Sequence, residues 1–102
     1  MTATEHGVRR IRIEGDLTIQ TAAEHKQLLL TAVDEAADVL VDLAGVSEFD
    51  TAGLQVLLLA RREAIRRNRI LEIADPSPAV IEVLAVAHLT AALDTGTDEA
   101  AT

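Results

Sequence analysis

The sequence predicts an α/β fold, a small mixed β-sheet that is parallel at its centre and covered by helices. Three observations carry this. Short aliphatic runs at 8–13, 39–43 and 70–74 read as strands. A stretch with helical spacing of apolar residues follows each of them. A helix between successive strands makes each connection a crossover, which is right-handed and joins parallel neighbours. The 102 residues suit one compact domain with one modest core. That domain is expected over 1–102, with 1–7 and 95–102 frayed.

In the first strand Ile11 and Ile13 fall on one face, and Arg10 and Arg12 on the other. A short strand at 2–5, turning at Gly7, is weakly signalled ahead of it. Thr21 and Glu24 have the spacing of a capping box, which opens the first helix. Its apolar face is read as Ala22, Leu28, Leu29, Ala32, Val33 and Ala36. The run Val39-Leu40-Val41-Asp42-Leu43 suits a central strand buried on both faces, and 44–50 reads as a loop. The second helix runs from 51 or 52 to 67 and is apolar almost all round in its first half. Arg61, Arg62, Arg66, Arg67 and Arg69 at its end are either solvated cations suiting the helix dipole or a basic patch for an acidic partner. After the strand at 70–74, Asp75-Pro76-Ser77-Pro78 opens a third helix, with Ser77 as N-cap and Pro78 at the first helical position. Val80, Ile81, Leu84 and Ala85 are its expected apolar face, and the chain from Asp94 onward is small, polar and acidic.

Composition excludes several functions. A formal charge of −8 and a single aromatic, Phe49, argue against nucleic-acid binding, which uses basic surfaces and stacking rings. The absence of cysteine removes disulfides, thiolate metal sites and redox pairs. Residues 1–6 lack the basic and apolar regions of a secretory leader, and the longest apolar run, 56–60, is far too short to cross a bilayer. The expectation is a cytoplasmic protein with no membrane insertion. His6, His25 and His88 fall on separate elements, so no metal site is expected; there is no phosphate-cradling glycine run and no nucleophile elbow. Neither an enzyme nor a cofactor is expected.

One junction stands apart. Asp50 and Thr51 join a buried strand to the start of a buried helix, where backbone N–H groups are unpaired and partially positive. A phosphate on Thr51 would be stabilised there and would add nearly two negative charges to a small exposed spot. Equally, Asp50 or Thr51 serves as the helix cap, a task both residue types perform.

The segment from Asp42 to Leu54 resembles the STAS family, named for sulphate transporters and anti-sigma-factor antagonists. The family pattern D-L-S-x-V-x-x-x-D-[ST]-[ST]-G-L is met by Asp42, Leu43, Val46, Asp50, Thr51, Gly53 and Leu54. Ser77-Pro78-Ala79-Val80 is similar to the S-P-A-V that opens a later helix, and Gly15-Asp16-Leu17 to the G-[ED]-L-D before the first. The likeness runs from about Val8 to Leu93. It implies a sheet covered by about four helices and a protein-interaction module. In antagonist-type members a kinase of the histidine-kinase ATPase type, which is also the anti-sigma factor, phosphorylates the residue after the motif's Asp. Carried over, Thr51 is the acceptor, Asp50 its acidic neighbour and Gly53 the small residue that lets a partner approach. Ala52 replaces the second hydroxyl, and Thr18 replaces the acidic residue after Gly15-Asp16-Leu17.

Two functions follow from the resemblance. One is a phospho-switched antagonist whose partner is such a kinase or a chemotaxis-type signalling assembly, reset by a phosphatase. The other is the STAS subunit of a phospholipid-trafficking ABC transporter, which also shows D-T-x-G-L and rides on the ATPase. A module reading a small ligand such as a nucleotide is a third class.

Overall fold

A computed structural model describes residues 7–35 and 38–87. The elements are β1 (Val8–Leu17), α1 (Ala22–Glu35), β2 (Asp38–Phe49), α2 (Thr51–Arg66), β3 (Leu71–Ala74) and α3 (Pro78–Ala87). The sheet order is β1-β2-β3, and both pairings are parallel. Among the described residues there are therefore three helices rather than about four. The sheet is wholly parallel there rather than mixed. Each strand-to-strand connection contains a helix, the crossover that parallel neighbours require. The strand expected at 2–5 lies outside the described residues, as do Ala36, His6, His88 and the chain beyond Ala87.

Alternation in β1 is as read: Ile11 and Ile13 are buried while Arg10 and Arg12 are exposed. Their register neighbours on β2 are Val41 opposite Ile11 and Val39 opposite Arg9, and Leu71 of β3 lies opposite Val39. This face meets Leu29, Ala32 and Val33 from α1, and Leu54, Leu57, Ala60 and Ala64 from α2, in one core. The three-and-four spacing of those residues makes a single stripe on each helix. In α3 the buried pair is Val80 and Leu84, four apart, while Ile81 and Ala85 are exposed, contrary to expectation. Leu28 is likewise exposed on α1. A helix touching the core along a narrow stripe needs only every fourth residue, so hydrophobicity alone overstates its buried face.

The largest departure is β2. Residues 44–49, expected as a loop, continue the strand because β1 runs beside them to Leu17 opposite Phe49. The ladder slips twice, between Arg12 and Glu14 and between Gly15 and Asp16. Buried Asp42 sits at the first slip, where its Oδ1 accepts the Ala44 N–H at 2.9 Å and its Oδ2 accepts from Arg10 at 3.3 Å. A side chain that takes a strand's own donor removes that donor from the ladder, which is the condition for a bulge. At the second slip Gly15 has φ +83°, a left-handed conformation that glycine adopts without penalty.

Ser77 and Pro78 open α3 as read. The Ser77 Oγ accepts the Val80 N–H at 3.3 Å, and its own N–H is donated to the Leu43 carbonyl at 3.2 Å, tying the helix start to β2. Ser77→Ala should lower the unfolding free energy by about 1 kcal/mol, measured by urea denaturation; an unchanged midpoint would remove the cap from the account. The capping box at Thr21 is not formed. Thr21 Oγ1 instead accepts the Thr18 N–H at 3.1 Å and donates to the Asp16 carbonyl at 2.9 Å, because the chain enters α1 through a tight turn that uses the hydroxyl.

The arginine cluster is largely engaged within the chain. Arg66 and Arg67 both bond Glu63, and Arg67 also reaches Asp34. Arg69 donates to the carbonyls of Val33 and Asp34 at the end of α1, a helix with no basic residue in its own last turn. Positive charge at a helix C-terminus is favourable, and here it comes from the neighbouring segment.

Candidate switch site at the start of the second helix

Asp50 is the N-cap of α2, with extended φ of −134°. Its Oδ1 accepts the Gly53 N–H at 3.0 Å, and its carbonyl accepts the Leu54 N–H at 3.0 Å. The second carboxylate oxygen, Oδ2, accepts the Ile19 N–H at 3.1 Å. One side chain thus caps the helix and clamps the β1–α1 loop against it. With capping assigned to Asp50, Thr51 occupies the first helical position with an exposed side chain.

Gly53 is buried. A Cβ there would stand 2.2 Å from the Leu17 carbonyl oxygen and 3.0 Å from Phe49 Cε1. Gly53 thus permits an internal close approach, the end of β1 lying against the first turn of α2. Ala52 is half-buried. Thr18 belongs to the clamped loop, where its Oγ1 accepts the Gln20 N–H at 3.4 Å. Asp16 is exposed on the strand leading into that loop, opposite Glu48. Asp50, Thr51, Gly53 and the 18–21 turn are thus brought together directly, and Asp16 flanks them.

Three features of the site were not legible in sequence. Ile19 is 72% exposed beside Asp50, and nothing in Thr18-Ile19-Gln20-Thr21 marks it as a surface residue. An open groove of about 500 Å³ runs between Asp50 and Thr51 on one side and Glu82, Val83 and Val86 on the other. Val86 in that groove is 77% exposed. The placement of α3 beside the start of α2 depends on tertiary packing, and only its crossover sense was readable. Acidic residues mark this end of the fold: Asp16 and Glu48 face each other near the strand ends, Asp50 caps α2, and Glu82 lines the groove. The arginines occupy the first half of β1 and the second half of α2 and its turn.

The Gly53 N–H, helped by the Ile19 N–H, holds the Asp50 carboxyl below its ordinary range against a smaller opposing effect of desolvation. The Ala44 N–H, with Arg10, does the same for Asp42. Both carboxyls ionise more readily folded than unfolded, so their stabilisation is full above the unfolded value of 3.8 and is lost as pH falls through the lower folded value. The contribution of these two carboxyls to the unfolding free energy should hold from neutrality to about pH 4 and fall below it. Asp50→Asn should make that fall shallower in denaturant titrations. Equal slopes in the two proteins would show that Asp50 takes no part.

Among the described residues, no group of His, Cys, Asp and Glu could hold a metal ion, and no helix is long and apolar enough to cross a membrane. His25 is half-buried on α1. What the site offers is an exposed hydroxyl on a rigid helix start, beside an apolar groove and a clamped loop. A family model described as Mlab, STAS domain, matches residues 1–94.

The chain belongs to the STAS family.

Solved structures share the fold. The anti-sigma factor antagonist SpoIIAA, in its unphosphorylated form, superposes with a TM-score of 0.69 at 21% identity, over 80% of this chain and 73% of that one. A sulfate transporter family protein from Wolinella succinogenes gives 0.70 at 20% identity, over 85% and 71%. The STAS domain of a SulP transporter from Vibrio cholerae gives 0.63 at 16% identity, over 87% and 70%. No curated protein matches the chain.

Proposed function

We propose that this STAS domain is a phospho-switched protein-interaction module, acting in the cytoplasm as a kinase substrate and binding partner and not as a catalyst. The observation that carries the reading is the division of labour at the start of α2: Asp50 caps the helix and Thr51 is left exposed. In the modification, Thr51 Oγ1 attacks the γ-phosphorus of a nucleoside triphosphate. The new O–P bond forms as the bond to the β-phosphate oxygen breaks. The hydroxyl proton passes to a base of the kinase, and the nucleoside diphosphate leaves. The phosphate then stands at a helix N-terminus, at the end of the fold that carries Asp16, Glu48, Asp50 and Glu82, where it changes the charge of the face that the groove and Ile19 make apolar. Similarity to SpoIIAA, an anti-sigma factor antagonist with an unphosphorylated form, supports a kinase of the anti-sigma type as partner. A chemotaxis-type kinase and an opposing phosphatase fit the same chemistry.

A second reading is favoured by the description of the matching family model, Mlab. On that reading the chain is the STAS subunit of a phospholipid-trafficking ABC transporter and binds its ATPase. Thr18, in place of an acidic residue, agrees with it; the arginines at the end of α2, engaged with Glu63, Asp34 and α1, lend it little. Affinity purification of the tagged chain from its source cells, with mass spectrometry of partners and of Thr51, separates the two. A kinase partner with phosphate on Thr51 supports the switch. An ABC ATPase with Thr51 unmodified under all growth conditions overturns it in favour of the transporter.

A further inference from the structure

We propose that Asp50 is a relay: a charge placed on Thr51 releases the Ile19 N–H from Asp50, so that the β1–α1 loop reports the state of the switch residue. The inference rests on Thr51 as the modified residue and names how that site acts on the surface beside it.

The Asp50 carboxylate is divided between two donors of different kinds. Gly53, three residues on, belongs to the first turn of α2, whereas Ile19 lies 31 residues back in the loop. A phosphate on Thr51 seeks the same first-turn N–H donors and stands one residue from the carboxylate. Two anions cannot share those donors without repulsion, which the half-buried position of Asp50 screens less than open solvent would. The carboxylate must shift. Its bond within the helix cap is local and follows the helix, while its bond to Ile19 spans two elements and lengthens with any rotation of the side chain. The loop can respond as a unit, since Thr21 Oγ1 holds its turn through Thr18 and Asp16 alone, with no contribution from Asp50. Ile19, exposed and held by the Asp50 that lines the groove with Thr51, Val83 and Val86, then presents its aliphatic side chain differently. Modification would alter the apolar surface of the face as well as its charge.

Amide hydrogen exchange by NMR on the ¹⁵N-labelled full chain tests this without any kinase. In the wild type the Ile19 amide should be protected, and Asp50→Asn should reduce that protection. In Thr51→Glu, and in protein carrying phosphothreonine at 51, Ile19 exchange should accelerate about ten- to a hundredfold, the range for a hydrogen bond to a charged acceptor. Val41 in the central strand should be unchanged. Should Thr51→Glu loosen the whole domain, Val41 would accelerate too, and the phosphothreonine protein gives the comparison. Ile19 protection that is lost in Asp50→Asn yet equal in phosphorylated and unmodified protein would overturn the relay. So would an Ile19 amide unprotected from the start. The reading of Thr51 as a kinase substrate fails separately, by the absence of phosphate in cells.

Discussion

Gly53→Ala should lower the unfolding free energy by about 2 kcal/mol, although the same substitution in an open helix would raise it. Alanine gains up to about 1 kcal/mol over glycine in helix propensity. Against this, the added Cβ would meet the Leu17 carbonyl oxygen at 2.2 Å, and that atom is backbone, not the tip of a pliable side chain. Either β1 or the start of α2 must move by most of an ångström, and overpacking of this kind costs about 3 kcal/mol at the upper end of its usual range. The displacement falls on the junction that Asp50 clamps, so weaker partner binding should accompany the lost stability. Urea denaturation of the full chain measures the first effect. A variant as stable as the wild type would mean that the end of β1 yields freely, and that the motif's glycine has some other purpose.

On the proposed switch, Thr51→Glu should weaken capture of a kinase partner by about ten- to a hundredfold, the scale on which such switches couple. Thr51→Ala should bind and resist phosphorylation. Because Asp50 supplies the cap, Thr51→Ala should stay within about 0.5 kcal/mol of the wild type, as exposed substitutions do. Titration of the captured partner against the three proteins checks the binding, and thermal denaturation checks the folds. An unfolded Thr51→Ala protein would make the hydroxyl structural. Equal affinity of the wild type and Thr51→Glu would leave Thr51 with no influence over the partner.

The parts of this fold that a local pattern can encode were legible. Alternation in Val8-Arg9-Arg10-Ile11-Arg12-Ile13 gave β1, and Ser77-Pro78 gave the start of α3. The second half of β2 was not legible, because Ala44, Gly45, Ser47 and Glu48 lack strand periodicity and are held extended by β1 across two slips in the ladder. The capping box failed for a related reason, since the Thr21 hydroxyl answers to a turn that only the folded loop creates. At the site, the chain order of Asp50, Thr51 and Gly53 pointed to the junction of β2 and α2. Their division into cap, exposed hydroxyl and internal contact depended on Ile19 and Leu17, some 31 and 36 residues away in sequence.

The strand order β1-β2-β3 repeats the order of synthesis. During translation each of these three described strands can join the edge left by the one before, and none of the three must be threaded between the other two once they have paired. The first two strands, with α1 between them, emerge from the ribosome before β3 does, and they make the longest pairing in the sheet. The nascent chain can thus hold its most extensive strand contact early, while the hydroxyl at the start of α2 has yet to find its neighbours on α3.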